Sequence, residues 1–424
     1  MKTHKNFHFL GIGGISMQAL AKYLKYLGHT VTGQDINPSV EILGIDTSPK
    51  NAIKNLENAD VVVATSAIKS DDEALVKAKS LGKQILTRGE LLGKISRQFE
   101  CVIAVSGTHG KTTTTEMLAE VLTEAGLNPT VHIGGVSGLF GSSLGIGEKK
   151  VFVTEACEYS GSFLYLKPDI SVILNIEPEH LDYFKTFSAE QKAFRWFAKK
   201  SDCVVAENGL GLGELTFGKQ GNFTATGIKK YKFGYEFWVN KNGKRWAKIK
   251  LKSFAETNIL NALAVCGVCD KLGVHPKHIK NALKNFCGVK RRSEVLSLSP
   301  LVIHDYAHHP TEILGQITSI KKFFSKPVWV VFQPHTYSRT KTLFADFVNV
   351  LSKADKVFLL PTYSAREQFD EQGSSEKLFS ALKKNGANAQ FLPNPQTAKQ
   401  TVLKQVKNQV VLVLGAGDIN QFFA

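Results

Sequence analysis

The sequence predicts an α/β protein of three domains, each built on a mostly parallel sheet. Short β-rich runs alternate with helical patterns from end to end, the signature of repeated strand–helix units. Two breaks divide the series. One lies near "GKISRQFECVIAV", where a helix ends and a new strand–loop–helix unit begins, and the other in "FCGVKRRSEVL", ahead of a further βα series. The expected domains are 1–97, 98–288 and 289–424. Length agrees, because 424 residues exceed what one small core holds.

Taken in order, the buried-strand readings are 7–10, 61–64, 102–105, 151–153, 171–174, 301–303, 328–332, 357–360 and 410–414. Helical patterns follow most of them. Ligands of open parallel sheets bind beyond the carboxyl ends of strands. Gly11, Ser66, Gly107, Glu155, His180 and Asp305 all fall at or just after such ends. That recurrence is more informative than any one of these residues.

Composition narrows the class. The start of the chain has no long apolar run of the kind a secretory leader needs, and no stretch approaches the length of a membrane span. The six cysteines, Cys101, Cys157, Cys203, Cys266, Cys269 and Cys287, are scattered, which fits a reducing cytoplasm better than a disulfide framework. Cys266 and Cys269 have redox or metal spacing but lie in a helical apolar pattern with no second Cys/His pair; packing is favoured over metal or redox chemistry. The formal net charge of +16 suits anionic partners. The basic residues are dispersed and no base-stacking motif stands out, so small anionic substrates are favoured over nucleic acid.

Four constellations carry chemistry. In "FHFLGIGGISMQALAKYLKYLGHTVTGQD" a strand runs into Gly11, Gly13 and Gly14 and then into a helix. Such a turn admits a phosphate close to backbone. Ser16 replaces the third glycine of a dinucleotide fingerprint. Asp35 ends the second strand, where a carboxylate could accept a ribose hydroxyl. A merely tight βα turn is the bland alternative.

The second is "SGTHGKTTT", preceded by the strand pattern "CVIAV" and followed by a helix with Met117, Leu118, Val121 and Leu122 on one face. Loop N–H groups and the helix start would hold phosphate oxygens, Lys111 would neutralise β/γ charge, and Thr112 would offer its hydroxyl to Mg²⁺. The common phosphate-loop spacing puts a glycine where Val105 stands. Gly107 and Gly110 remain to make the turn.

The third pairs Glu155, closing "FVTE", with His180 in "NIEPEHLDYF". With Thr112 they suit a divalent cation held largely through phosphate and water. The fourth spans the last third of the chain. Asn258 and Asn261 either read an adenine edge or cap a helix; Arg291 and Arg292 either clamp phosphate or form a solvated pair. "VIHDYAHHPTEI" and "VFQPHTYSRTKTL" bring Asp305, His308, His309, His335 and Arg339 to strand ends in one domain.

Together "GIGGISM", "TSAIKSDDEAL", "SGTHGKTTT", "NIEPEHLDYF", "DYAHHPTEI", "FQPHTYSRT" and "GAGDI" resemble, in order and over essentially the whole chain, the Mur ligase family of bacterial cell-wall synthesis. The resemblance implies a Rossmann-like first domain for a UDP-sugar, a P-loop ATPase-like middle domain and a Rossmann-like last domain for ATP and an amino acid. It implies ATP-dependent joining of L-alanine to the lactyl carboxylate of UDP-N-acetylmuramate through an acyl phosphate, with Mg²⁺, in the cytoplasm, and without nucleic acid or membrane insertion. By motif match, Gly107, Thr108, His109, Gly110, Lys111, Thr112, Thr113, Asn258, Asn261, Arg292 and Asp305 fall to ATP. Thr112, Glu155 and His180 fall to the metal; Gly11, Gly13, Gly14, Asp35 and Ser66 to the UDP-sugar; His308, His309 and Arg339 to the amino acid. Lys111, Glu155, His180, Arg292 and His308 are the candidate catalytic groups. Three departures stand out: Thr257 before the adenine segment, Cys157, Tyr159 and Gly161 within "EACEYSGSF", and Thr336 before Arg339. A carbamylated lysine, used in other branches, is not assignable, since Lys192 and Arg195 share the relevant helix. A ligase adding a tripeptide, a nucleic-acid-stimulated ATPase and a nicotinamide oxidoreductase remain as rivals.

Overall fold

The computed structural model describes residues 4–365 and 367–423. Its first sheet holds β1 (Asn6–Leu10), β2 (Thr30–Gln34), β3 (Val61–Ala64) and β4 (Gln84–Thr87) in the order β2-β1-β3-β4, all parallel. The helix Ile15–Tyr26 makes the crossover from β1 to β2, burying Met17, Leu20, Tyr23 and Leu24. Gly11 turns the chain out of β1 at φ 78°, a conformation that disfavours a side chain. The helix Arg88–Ser96 starts on a capping box between Thr87 and Glu90, which fixes its first turn.

The second sheet has ten strands: β5 (Cys101–Ser106), β6 (Pro129–His132), β7 (Leu144–Gly145), β8 (Glu148–Glu155), β9 (Ile170–Ile173), β10 (Cys203–Glu207), β11 (Leu215–Phe217), β12 (Phe223–Tyr231), β13 (Gly234–Lys241) and β14 (Lys244–Leu251). Their order is β14-β13-β12-β11-β10-β9-β5-β8-β6-β7, with β6, β8, β5, β9, β10 and β11 parallel. Parallel pairing brings the carboxyl ends of β5, β8 and β9 together, since Val105 lies level with both Glu155 and Val172. The helix Lys111–Glu124 packs behind them, with every residue from Thr114 to Leu122 buried.

The strands β12–β14 were not expected from the sequence. Their hairpin signal was nonetheless present: Asn242 and Gly243 both sit at positive φ, 50° and 77°, as a two-residue type I′ turn requires. Lysines on the outward positions of β14 mask the alternation that its burial pattern shows. The helix Asn258–Lys271 is buried on nearly all sides and holds Cys266 and Cys269 as free, buried cysteines. Burial pushes both thiols up, Cys266 well above its ordinary value, so both stay protonated packing groups.

The third sheet comprises β15 (Glu294–Leu298), β16 (Leu301–Asp305), β17 (Val328–Phe332), β18 (Lys356–Leu359), β19 (Ala389–Phe391) and β20 (Val410–Leu414), ordered β15-β16-β20-β17-β18-β19. Only the edge strand β15 runs antiparallel to its neighbour. By contacts the chain forms two compact units. One spans residues 1–229, 236–252 and 258–288 and contains the first sheet and most of the second; the other spans 230–235, 253–257 and 289–424 and contains the third, with the end of β12 and the start of β13. Among the described residues no helix is long and apolar enough to cross a membrane.

Candidate active site

The phosphate loop starts where β5 ends. Val105 is a fully buried strand residue, so it is not part of the loop and has no need to be glycine. Gly107 and Gly110 carry the turn at φ 136° and 87°. A β-carbon on Gly107 would lie 3.1 Å from backbone atoms of Asn175, and one on Gly110 would lie 2.8 Å from the Asn261 side chain. Both positions exclude larger residues by conformation and by contact.

Asn175, just past β9, clamps the loop. Its Oδ1 accepts from the His109 amide at 2.8 Å, its Nδ2 donates to the His109 carbonyl at 3.0 Å, and its own carbonyl accepts from the Thr108 amide at 3.2 Å. The Thr108 hydroxyl accepts from the Glu177 amide at 2.9 Å. His109 lies outward, with its Nε2 3.6 Å from Glu177. Thr112 and Thr113 occupy the first turn of the helix, half-buried, and that turn itself holds no acidic residue, which leaves the positive end of the helix dipole facing the loop.

Lys111 folds back over this loop. Its Nζ donates to the Gly107 carbonyl, to the Thr108 carbonyl at 3.0 Å and to Glu158 Oε1 at 3.1 Å. Glu158 is 1% exposed, and its second oxygen has no hydrogen-bond partner among the described residues. His180 Nε2 stands 3.6 Å from Glu158 Oε1, while the His180 ring packs 4.9 Å from that of Tyr159. Ligand atoms of Glu158, Glu179 and His180 all lie within 4.8 Å of one another. A buried carboxylate with one unpaired oxygen beside an imidazole is a donor set that fits a hard divalent cation. Glu190, fully buried, supports the set by accepting from the Glu179 amide at 3.2 Å.

Glu155 is engaged elsewhere. Its Oε1 accepts from the Gly134 amide at 2.5 Å, and it is not among the three acids and imidazoles that converge. Glu158, not among the sequence candidates, takes the position beside Lys111 and His180. A 3₁₀ segment, Tyr159–Tyr165, with Ser160 and Gly161 at φ 54° and 64°, turns the chain there. Gly161, counted as a departure, is one of the two residues that allow that turn.

The remaining candidates divide into those that meet one another and those held locally. Asn261 Nδ2 donates to Asn258 Oδ1 at 2.8 Å, beside Gly110. In the first sheet, the Gly13 amide donates to Asp35 Oδ2 at 2.8 Å and the Asn37 amide to Oδ1 at 3.0 Å, so Asp35 braces the glycine turn. Gly14 is the N-cap of the helix that follows, and Ser66 is exposed in the turn after β3.

In the second unit, Asp305 accepts from the amides of Ser293 and Ala307 and from the Gln316 amide group at 2.7, 2.9 and 2.9 Å. Burial raises its carboxyl above the ordinary value, against the pull of Arg292. Arg291 is structural: its guanidinium donates to the carbonyls of Gly415 and Gly417 at 2.8 and 2.9 Å. Arg292 is exposed and lies 5.4 Å over the ring of Tyr306. His308 Nδ1 is 3.0 Å from the Tyr306 carbonyl, and its ring is 6.1 Å from that of His335. A carbonyl partner fixes the proton on Nδ1 and leaves Nε2 as an acceptor. Burial lowers the His308 pKa despite the nearby Glu312. His309 instead caps the helix Pro310–Phe324 through its Nδ1. Arg339 Nη1 donates to the His335 carbonyl at 2.9 Å.

A phosphate loop facing a buried acid, followed by a separate α/β unit with converging basic residues, defines a nucleotide-using class. Three family models match in succession: "Mur ligase family, catalytic domain" over residues 6–100, "Mur ligase middle domain" over 105–269 and "Mur ligase, glutamate ligase domain" over 291–417. The chain belongs to the Mur ligase family.

Among its relatives, the UDP-N-acetylmuramate–L-alanine ligases of Acetivibrio thermocellus and Caldicellulosiruptor saccharolyticus are each 40% identical to it, over 98% of this chain and 94% and 96% of theirs. The crystal structure of the UDP-N-acetylmuramate–alanine ligase from Thermotoga maritima superposes with a TM-score of 0.84 at 31% identity, covering 99% of this chain and 98% of that one.

The geometry separates the two acids experimentally. Glu158→Gln is expected to weaken Mg²⁺ binding in the presence of an ATP analogue by about tenfold or more, whereas Glu155→Gln changes it by less than about threefold, because Glu155 holds the Gly134 amide outside the converging set. Titration calorimetry of both variants checks this.

Proposed function

We infer that this chain is an ATP-dependent ligase that joins L-alanine to the lactyl carboxylate of UDP-N-acetylmuramate in the synthesis of peptidoglycan precursor. The observation that carries the reading is near-full-length similarity to ligases of that name, and a formed phosphate loop accompanies it. In this reading the first glycine turn, with Gly11, Gly13, Gly14, Asp35 and Ser66, receives the sugar nucleotide. Gly107, Thr108, His109, Gly110, Lys111, Thr112 and Thr113, with Asn258 and Asn261, receive ATP. Arg292 approaches the γ-phosphate, and Asp305 acts by shaping the loop that carries it. His308 and Arg339 serve the amino acid. The three functional domains are assigned to 1–97, 98–288 and 289–424. The six free cysteines and the need for ATP support a cytoplasmic site of action.

The chemical difficulty is the meeting of two anions. Unit charges 4 Å apart repel by about 4 kcal/mol at an effective dielectric of 20. Lys111, now shared between two loop carbonyls and Glu158, exchanges those partners for phosphate oxygens. The loop amides and the helix start act in the same direction. Mg²⁺ bound through Glu158, His180 and the Thr112 hydroxyl would neutralise triphosphate charge and polarise the transferred group.

A carboxylate oxygen attacks the γ-phosphorus, the bond to ADP breaks, and an acyl phosphate forms. The amine of L-alanine then attacks the acyl carbon, and the carbon–oxygen bond to phosphate breaks. His308 Nε2 takes a proton from the incoming ammonium, a role its neutral, Nδ1-protonated form allows.

The decisive assay follows phosphate release with ATP, Mg²⁺ and UDP-N-acetylmuramate while the second substrate is varied. L-Alanine should drive release, and Lys111→Ala should lower it by about 100-fold or more. Release that ignores every amino acid would contradict the ligase reading, and preference for a tripeptide would redirect it.

The pH dependence tests His308. Its folded pKa lies below 6.5, so the base form persists to lower pH than in a free imidazole and activity falls as pH drops through that depressed value. His308→Ala should therefore cost about 100-fold at pH 8 and much less at a pH below the depressed His308 value, where wild type carries imidazolium. Equal losses at both pH values would remove the base role.

A further inference from the structure

Beyond the residues assigned above, an unbroken run of hydrogen bonds connects the first glycine turn to the strand end that carries Glu155. The Arg88 Nη1 donates to the Ser16 hydroxyl at 3.2 Å. Ser16 Oγ lies 2.8 Å from His132 Nε2, and His132 Nδ1 lies 3.0 Å from Thr154 Oγ1. The Thr154 hydroxyl donates to the Glu155 carbonyl at 3.1 Å. All of these groups belong to the first compact unit.

The direction of the run is fixed from both ends. Guanidinium has donors only, so Ser16 Oγ accepts from Arg88 and turns its own proton toward His132 Nε2. Thr154 spends its proton on a carbonyl, so it accepts from His132, which must carry its proton on Nδ1. The two requirements agree on one tautomer of a neutral imidazole. His132 is 3% exposed, and burial, with the charge of Arg88, holds its pKa down to about 3. It therefore remains neutral across the working pH range.

One end lies in the sugar-nucleotide turn; the other, Glu155, pairs with Val105, next to the strand end from which the phosphate loop leaves. Ser16 is in the first turn of the helix that follows Gly14, and its neighbour Ile15 is tied to the second sheet, since the Ser143 hydroxyl donates to the Ile15 carbonyl at 3.2 Å. At the other end, Glu155 holds Gly134, two residues after His132. We propose that Ser16, His132 and Thr154 form a positioning relay through which occupancy of the sugar-nucleotide turn and occupancy of the ATP site favour each other. The relay rests on the ligand assignment given under Proposed function. A ligand that fixes Ser16 also fixes the imidazole and Thr154, so part of the ordering cost at the second site has already been met. Such coupling is reciprocal, and a factor of about 5 or more is typical.

The test measures coupling rather than affinity alone. Calorimetry gives the dissociation constant of UDP-N-acetylmuramate for the full chain with and without a non-hydrolysable ATP analogue and Mg²⁺. Wild type should bind the sugar nucleotide about fivefold or more tightly when the analogue is present. Ser16→Ala and Thr154→Val, which open the relay at opposite ends, should each bring that ratio to within about twofold of unity, and Thr154→Ser should restore it. A ratio near unity in wild type, or one that survives both substitutions, would overturn the relay.

A ligand-free readout keeps this separate from the functional reading. Imidazole ¹⁵N spectra should show His132 as the neutral Nδ1–H tautomer at pH 5–8, and Thr154→Val should disturb that assignment. An Nε2–H tautomer would overturn the relay even if both ligands bind. Failure of wild type to bind either ligand would instead overturn the functional reading, and the tautomer would then decide the relay alone.

Discussion

A buried carboxylate beside a phosphate loop is the constraint around which the central unit is organised. Glu158 is nearly inaccessible, and one of its oxygens is satisfied by Lys111 while the other has no partner among the described residues. Burying an ion is costly unless it is paired, and Lys111 supplies that pairing. The same lysine is committed to carbonyls of the loop it will have to serve. Lysine, glutamate and His180 thus form a reservoir of charge that a cation and a triphosphate can redistribute with little movement of the backbone.

Parallel pairing explains how distant sequence positions supply this reservoir. The ends of β5, β8 and β9 are level. Each then contributes one part: the loop after β5, the Glu158 turn after β8, and the Asn175 clamp and His180 after β9. The first sheet repeats the device at lower charge, with Gly13 braced on Asp35. In the third, Asp305 holds Ser293 next to Arg292. One geometrical rule, ligand groups at the carboxyl ends of strands, therefore accounts for the candidate sites in all three sheets.

Much of this was legible in the sequence. Every strand expected from a buried apolar run lies within or one residue beyond a strand of the structure, because fully buried parallel strands are written as continuous hydrophobic runs. The hairpin strands escaped notice because lysines cover their outer face, although Asn242-Gly243 marked a turn. Short polar side chains were harder to read. Asp35, Asp305 and His309 all fell at the expected strand ends and helix start, yet each spends acceptors on nearby backbone amides, as polar side chains at helix starts and turns do. Glu158 was overlooked for a different reason: it lies beyond the end of β8, and only the positive-φ turn at Ser160 and Gly161 shows how the chain is arranged there. Asn175 likewise has no motif of its own, since its role is defined by a loop 66 residues earlier.

The central claim is that the loop, Lys111 and the Glu158–His180 pair direct ATP onto a carboxylate oxygen. The most direct measurement uses UDP-N-acetylmuramate with ¹⁸O in both lactyl carboxylate oxygens, turned over with ATP, Mg²⁺ and L-alanine, and follows the label by mass spectrometry of the released phosphate. An acyl phosphate requires one ¹⁸O in each phosphate released and one retained in the amide. Phosphate free of ¹⁸O, formed in step with product, would contradict the account.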